Sequence, residues 1–307
     1  MTDELLPYYQ RELTYIRKLG AEFARQHPKI AGRLRLREEE TQDPHVERLI
    51  EAFAFLTARI RHKLDDEFPE IAQALLDVLY PHYLAPIPSM AVVRMTLDRS
   101  QTELTSPLCL PVGTSLDAAT ADGDVCRFRT CYPVRLWPIE VTSAELTGPP
   151  FAAPPLRFTQ PVRSVLRVRL SHYSREATFA QLELDGLRFF LQAQPQQAYP
   201  LYELILNHTL GLAVANGDDR DAAVRLPAAA LQPVGFGVDE GMLPYPKRSF
   251  LGYRLLTEYF VFPQKFLFFD VSWEGIREEQ RERLGYQVDL FVYLSRQIPE
   301  LEQQVSA

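Results

Sequence analysis

The sequence predicts an α+β protein: an N-terminal helical arm of about three helices over residues 1–88, then a mainly antiparallel β-rich body over residues 89–307 with short inserted helices. Three observations carry this reading. Apolar residues up to Leu79 step by threes and fours, as on one face of a helix. The run YPHYLAPIP (residues 80–88) holds three prolines within eight residues, which suits neither a continued helix nor a central strand and marks a domain boundary. Beyond it, short alternating apolar runs are cut by Gly, Pro, Asn and Asp, the mark of antiparallel strands.

The first helix is expected over residues 5–24 or slightly beyond, with Pro7 in its first turn and Pro28 as the next punctuation. Leu6, Tyr9, Leu13, Ile16, Gly20 and Phe23 form a short heptad-like seam. Gly20 costs about 1 kcal/mol of helix propensity relative to Ala. Close approach by another helix accounts for it. Two readings fit the seam: an internal hairpin with the next helix, or contact with foreign protein. Tyr8, Tyr9 and Tyr15 favour the second, because amphipathic aromatics are enriched at interfaces.

A second helix starts at Asp43, whose carboxylate can accept from the free amides of the first turn, with Pro44 at the first helical position. Val46, Leu49, Phe53, Leu56 and Ile60 line one face, and Ile50, Ala54 and Phe55 broaden it, so contact on two sides is expected. Phe68 precedes Pro69, a corner, after which Ile71, Leu75, Val78 and Leu79 keep a helical period to Pro81. Asp65, Asp66 and Glu67 oppose the macrodipole at a helix end. They form either a solvated acidic corner or a site met by a partner such as Arg or Lys from another element. The arm thus carries more apolar surface than it can hide by itself. Tyr9, Leu13, Ile16, Gly20, Phe23, Leu49, Phe53, Leu56 and Ile60 are the candidate interface.

In the body, strands are expected at residues 91–97, 125–129, 134–136 and 165–170. A hairpin is expected over residues 182–191, with Asp185-Gly186 as its two-residue turn, and a second around Asn216-Gly217. Short helices are expected near residues 200–208 and 250–261. Strands resume with FLFFDV (266–271) and YQVDLFVYL (286–294), where Val288, Leu290, Val292 and Leu294 share one face.

Composition excludes several function classes. With 307 residues, 46% of them hydrophobic and 24% charged, the chain is an ordinary globular one, large enough for one or two cores. No apolar run approaches the ~20 residues of a bilayer span, so direct membrane insertion is not expected. The start, MTDELLPYYQREL, lacks a secretory h-region, which points to the cytoplasm. Cys109, Cys126 and Cys131 are expected as reduced thiols. A net charge of −7 argues against a nucleic-acid surface, and Arg33, Arg35 and Arg37 are balanced by Glu38, Glu39 and Glu40. No HExxH or Cys/His zinc spacing occurs, and His82 reads as a stacked turn residue. Gly235, Gly237 and Gly241 give GxGxxxG with Pro244 and Pro246 following, which is not a dinucleotide fingerprint. GxSxG and the P-loop are absent. No catalytic, cofactor-binding or metal residue is therefore expected. The alternative, a small-ligand-binding or hydrolytic β-domain, rests only on aromatic density around Tyr245, Tyr253, Tyr259 and Trp273.

Several segments, in order and spanning most of the chain, resemble the TssF family of type VI secretion baseplate subunits, also called VasA or ImpG. They are YYQRELTYIRKLGAEFARQHPKIAGRL (8–34), DPHVERLIEAFAFLTARIRHKLDDEFPEI (43–71), YPHYLAPIPSM (80–90), FRTCYPVRLWPIEV (128–141), LRFFL (187–191) and VGFGVDEGMLPYPKRSFLGYRLLTEYFVFPQKFLFFD (234–270). The resemblance implies a non-enzymatic part of the baseplate wedge, in which two TssF copies join one TssG partly through a helical bundle, beside TssK and TssE. Six such wedges surround the spike and hub, form the platform for contractile sheath polymerisation, and dock at the inner-membrane complex. Chains of the family usually continue well past Ala307, so an N-terminal fragment or a shortened homologue is expected.

Overall fold

The computed structural model describes residues 4–33, 43–67, 69–101, 103–119, 123–217, 219–246 and 249–305. The expectations placed on Phe68, Arg35, Arg37, Glu38, Glu39 and Glu40 fall outside them. The chain divides into two compact units, Met1–Pro86 and Ile87–Ala307.

The first unit is helical: α1 (Leu5–Gln26), α2 (Pro28–Arg33), α3 (Pro44–Glu67), α4 (Pro69–Leu79) and α5 (Pro81–Leu84). At the start of α3 the Asp43 carboxylate accepts the His45 N–H at 3.0 Å, and the Asp43 carbonyl accepts the Glu47 N–H at 3.1 Å. The cap expected from Asp-Pro is in place. In the proline-rich run, Tyr80 leaves helical geometry (φ −146°, ψ 61°), as a residue before proline prefers, and Pro81 opens a further helical turn. A turn of helix therefore stands where the sequence reading ended helix altogether. His82 packs edge-on against Tyr80, ring centroids 3.8 Å apart.

In the second unit, β1 (Leu108–Leu110), β2 (Ser115–Ala119), β3 (Val125–Arg129) and β4 (Val134–Leu136) make two antiparallel pairs, β1 with β4 and β2 with β3. Then follow β5 (Ile139–Thr147), β6 (Ser164–His172), β7 (Gly186–Phe190), α6 (Pro195–His208), β8 (Thr209–Asn216), β9 (Asp219–Leu226) and β10 (Leu231–Pro233). The chain continues through α7 (Leu251–Val261), β11 (Phe268–Ser272), α8 (Glu278–Arg281), β12 (Gln287–Leu294) and α9 (Pro299–Glu302). The main sheet has the order β5-β6-β12-β8-β9 and a smaller one β10-β11-β7, with every pairing antiparallel.

β12 lies at the centre of the main sheet and is buried on both faces. Val288, Leu290, Val292 and Leu294 point into the larger core with Leu204 and Ile205 of α6, while Phe291 and Tyr293 enter a second core with Val165 and Ala213. A strand covered on both sides reads as a near-continuous apolar run, as YQVDLFVYL does. Its one charge, Asp289, is fully buried on the second face. Two guanidiniums from β6 hold it: Arg167 Nη2 at 2.6 Å from Oδ2 and Arg169 Nε at 2.7 Å from Oδ1.

Three strand expectations are corrected. Residues 91–97 run without sheet pairing to any described strand, and Val93 is exposed, so a β-prone run without a neighbour has not become a strand. The hairpin over residues 182–191 does not form. The return strand β7 pairs with β11 instead, and the Asp185 carbonyl accepts the Trp273 N–H at 2.7 Å. Gly186 is there for proximity: a Cβ on it would sit 3.0 Å from the Val271 carbonyl oxygen. Leu182 and Leu184 go into the core separately. In FLFFDV the first two residues close a 3₁₀ turn, Pro263–Leu267, before β11 begins. The Asn216-Gly217 hairpin does form, with Gly217 at φ 50° joining β8 to β9.

Replacing Asp289 by Ala leaves two guanidiniums without their shared carboxylate beside a buried strand. We expect a loss of about 3–5 kcal/mol in urea unfolding, the usual cost of breaking a buried ion pair from one side.

Candidate interaction surface

α1 and α3 lie antiparallel. Tyr8 meets His62 (ring centroids 5.3 Å) and Tyr9 meets Phe55 (6.4 Å) at one end, while Arg17 pairs with Glu47 at the other. Between them Ala54 and Ala58 are fully buried, small side chains that allow the helices to approach closely. Glu12 is buried too and accepts from Arg61 Nη1 at 3.0 Å. Near the end of α3, Asp65 takes a hydrogen bond from Tyr8 that holds the phenol above its usual pKa. The acidic corner thus has at least one partner on another helix, a tyrosine.

The structure sorts the candidate residues into two sets. Tyr9, Leu13, Ile16 and Gly20 are half-buried, and Phe23 is just exposed, beside the His27 ring at 5.0 Å. Apart from its own turn of helix, no described residue comes within 4 Å of a Cβ built on Gly20, so the close approach expected there is not made by the described residues. On α3, by contrast, Leu49, Phe53, Leu56 and Ile60 are 70%, 63%, 54% and 61% exposed. They run in steps of four, three and four, and Leu64 continues them, also exposed. One side of α3 is used by the hairpin and the other is open. α4 buries none of its side chains: Ile71, Leu75, Val78 and Leu79 are all exposed.

A second open surface lies in the body, on α7. The charged residues of this helix, Arg254 and Glu258, are both buried, and its apolar ones face out. Glu258 is a hub. Oε1 accepts the Met242 and Leu243 N–H groups at 2.8 and 2.9 Å, and Oε2 pairs with the ammonium of Lys265, itself buried. Arg254 donates to the Val238 and Gly237 carbonyls at 3.0 and 3.1 Å. The glycine run that superficially matched a phosphate-binding loop does cradle an anion, but its own: Glu240 Oε2 accepts the Gly235 and Gly237 N–H groups, both at 2.8 Å.

Sequence reasoning placed the α7 helix but missed its orientation. Arg254 and Glu258, four apart, normally form a solvated pair. The signal was that these two are the only charges in LGYRLLTEYFV, leaving no polar face wide enough to be the outer one.

The aromatics behind the ligand-binding alternative do not converge: Trp273 is a core residue stacked with Phe179, whereas Tyr253 and Tyr259 stand in water on α7. A cleft of about 330 Å³ lies elsewhere, lined in part by Glu103, Thr105, His172, Glu176 and Gln181. There His172 Nδ1 accepts the Ser174 N–H at 3.0 Å, and burial lowers the imidazole pKa. No nucleophile is aligned with it among the described contacts. No helix of the described residues is long and apolar enough to cross a membrane.

Comparison with known proteins agrees with this organisation. The family model described as "Type VI secretion system, TssF" matches residues 1–307. The type VI secretion system component TssF1 of Pseudomonas aeruginosa is 41% identical over 311 residues, covering 100% of this chain and 50% of that protein. A chain in the cryo-electron microscopy structure of the TssK-TssF-TssG baseplate subcomplex is similar with 29% identity and a TM-score of 0.63. That match covers 84% of this chain and 46% of the other. The present chain spans about half the length of these relatives.

The Glu258 hub yields a stability test. Glu258→Leu alone strands the Lys265 ammonium in the interior and is expected to cost about 3–5 kcal/mol; the double change Glu258→Leu/Lys265→Met removes both charges and recovers part of that loss. Urea unfolding of the wild type, both single variants and the double variant measures the coupling directly.

Proposed function

The chain belongs to the TssF family of the type VI secretion system, and from that premise we propose that it is a non-enzymatic structural subunit of the system's baseplate wedge, working through binding energy and geometry. The observation that carries this reading is the row Leu49, Phe53, Leu56 and Ile60, open to water on a helix whose other side is already packed. A helix with apolar residues on two sides belongs in a bundle of more than two helices.

In this reading helices of TssG lie along the open side of α3, and the seam of α1 at Leu13, Ile16, Gly20 and Phe23 borders the same bundle. The open space over Gly20 suits a close helix–helix crossing. The similar solved structure is a subcomplex of TssK, TssF and TssG, which supports TssG and TssK as partners. A second copy of TssF, TssE, and contact with the spike and hub complete the assembly that the family resemblance implies. Such a wedge works in the cytoplasm, in a baseplate docked at the inner-membrane complex, as the platform for sheath polymerisation.

Magnitudes constrain the bundle. Burying a large apolar side chain fully is worth ~1.5–3 kcal/mol, so covering the exposed halves of four yields roughly 3–6 kcal/mol. Association itself costs ~4–15 kcal/mol. The four residues on α3 offset that cost only at its low end, so in this reading the partner also covers the apolar side chains of α4.

Phe53→Glu combined with Ile60→Glu tests the reading. Because both side chains are more than half exposed, unfolding free energy should change by only ~0.5 kcal/mol per site, while co-purification with TssG is lost. Retained co-purification by a variant with unchanged circular dichroism would sink the proposal for α3. Leu13→Glu, in the half-buried seam, should instead destabilise the hairpin itself.

A further inference from the structure

Every second side chain of β6 faces the larger core. Leu166, Val168 and Leu170 fill it, and the next position in that register is His172, an imidazole where the strand's pattern calls for an aliphatic group. It is only 5% exposed. A polar ring at a core position breaks a local rule, and such breaks cluster at sites. The Ser174 backbone N–H points at Nδ1 from 3.0 Å, so Nδ1 is the acceptor and the proton sits on Nε2. That Nε2–H donates to no described residue, and the ring lines the cleft of about 330 Å³ between residues 103–105 and 174–182. Glu103 and Glu176 line the same cleft; both are exposed, and neither makes an ion pair with a described residue. Elsewhere in the body Glu140, Asp185, Asp270 and Asp289 each face an arginine. We propose that this cleft receives an arginine or lysine residue from an extended segment of a partner protein, its side-chain cation beside Glu103 and Glu176 and a backbone carbonyl of the segment accepting from His172 Nε2–H.

Each feature selects part of this ligand. No Lys or Arg is among the described residues that line the cleft, and burial lowers the His172 pKa, so the ring stays neutral and adds no positive charge. Two unpaired carboxylates then favour a cation and repel an anion. The buried donor calls for an acceptor, which a bare ammonium or metal ion lacks. Leu104 and Ala177 give the methylene stem of a long basic side chain a surface to lie on while its head stays near water. The volume is at the small end of the ~300–1,000 Å³ of ligand sites, room for a residue and not for a packed helix. The cleft lies wholly in the body and needs none of the partners proposed for the arm.

Proton–carbon correlation spectra of the imidazoles in the full chain, labelled at its six histidines and titrated with N-acetyl-arginine N-methylamide, test this. The His172 signal, identified by its absence in His172→Gln, should shift with a Kd on the order of 1 mM, as befits a small ligand in a partly open site. The citrulline analogue keeps the shape and the backbone carbonyl but loses the charge, and should bind about fivefold more weakly. Glu103→Gln/Glu176→Gln should lower the affinity for the arginine ligand by about the same factor, the size expected of two exposed charge pairs. Both side chains are exposed, so the fold is retained. Methylguanidinium, which carries the charge without an acceptor, should bind more weakly than the capped arginine. An unmoved His172 signal at ligand concentrations well above that Kd, equal binding of the citrulline analogue, or a folded double variant that binds as the wild type does would each overturn the proposal. Methylguanidinium binding as tightly as the capped arginine would overturn it too, because the site would then take a free cation. Co-purification with TssG is read separately on the arm variant, so failure of the wedge reading and failure of this one are distinguishable.

Discussion

A helix packed against a single neighbour can hide one stripe of its surface, and α3 carries two. This geometric limit governs the arm. The antiparallel hairpin with α1 consumes the side bearing Ala54 and Ala58, and with it the ion pairs from Glu47 and Arg61. None of the described residues of the first unit covers Leu49, Phe53, Leu56 and Ile60, and α4 follows with an exposed apolar face of its own. Ridges of large side chains at this spacing are the usual material of helix-into-groove packing. Among its described residues the arm thus shows two packed layers, and the bundle proposed above would supply a third.

The body reaches an open apolar surface by the opposite route. There the sheet core is closed, with β12 covered on both faces, and the surplus arises because polar chemistry has claimed the inside of α7. One carboxylate, Glu258, satisfies two backbone N–H groups and a buried ammonium at once, and the neighbouring Arg254 ties down two carbonyls of the same loop. With both carboxylate oxygens of Glu258 and both terminal nitrogens of Arg254 engaged, that network fixes which way the helix faces. In the arm, apolar residues are left over; in the body, they are displaced.

What could be read from the sequence follows from how local each determinant is. Asp43-Pro44 names its own helix start, and the 3–4 periods of α1 and α3 need no knowledge of what they touch. The Asn216-Gly217 turn is equally self-contained, because a positive φ at Gly217 is a property of two residues. Asp185-Gly186 looked the same and was not. Its glycine is required by β11, a strand some eighty residues further along, and no window around Gly186 contains that information. The orientation of α7 was not legible for a related reason: the Glu258 hub draws on Lys265 and on the amides of Met242 and Leu243, so the helix's inner face is chosen by groups outside the helix. The same limit applied to the α1 seam, for which periodicity identified the residues but left open whether their partner was α3 or another protein.

Burial within the arm bears on how it behaves before assembly. Among the described residues of the first unit the buried apolar side chains are alanines, Ala31, Ala54 and Ala58, and every large apolar residue keeps some contact with water. A methyl group contributes little compared with a Leu or Phe, so the arm's own core supplies a small part of what its ordering costs. The sheet of the body, with its Leu, Val, Phe and Trp interior, has no such deficit. Docking of a partner onto α3 and α4, as proposed above, would then do more than join two folded objects, because a protein that binds only the ordered arm stabilises that order by mass action. The binding free energy measured for such a complex would include part of the arm's folding free energy.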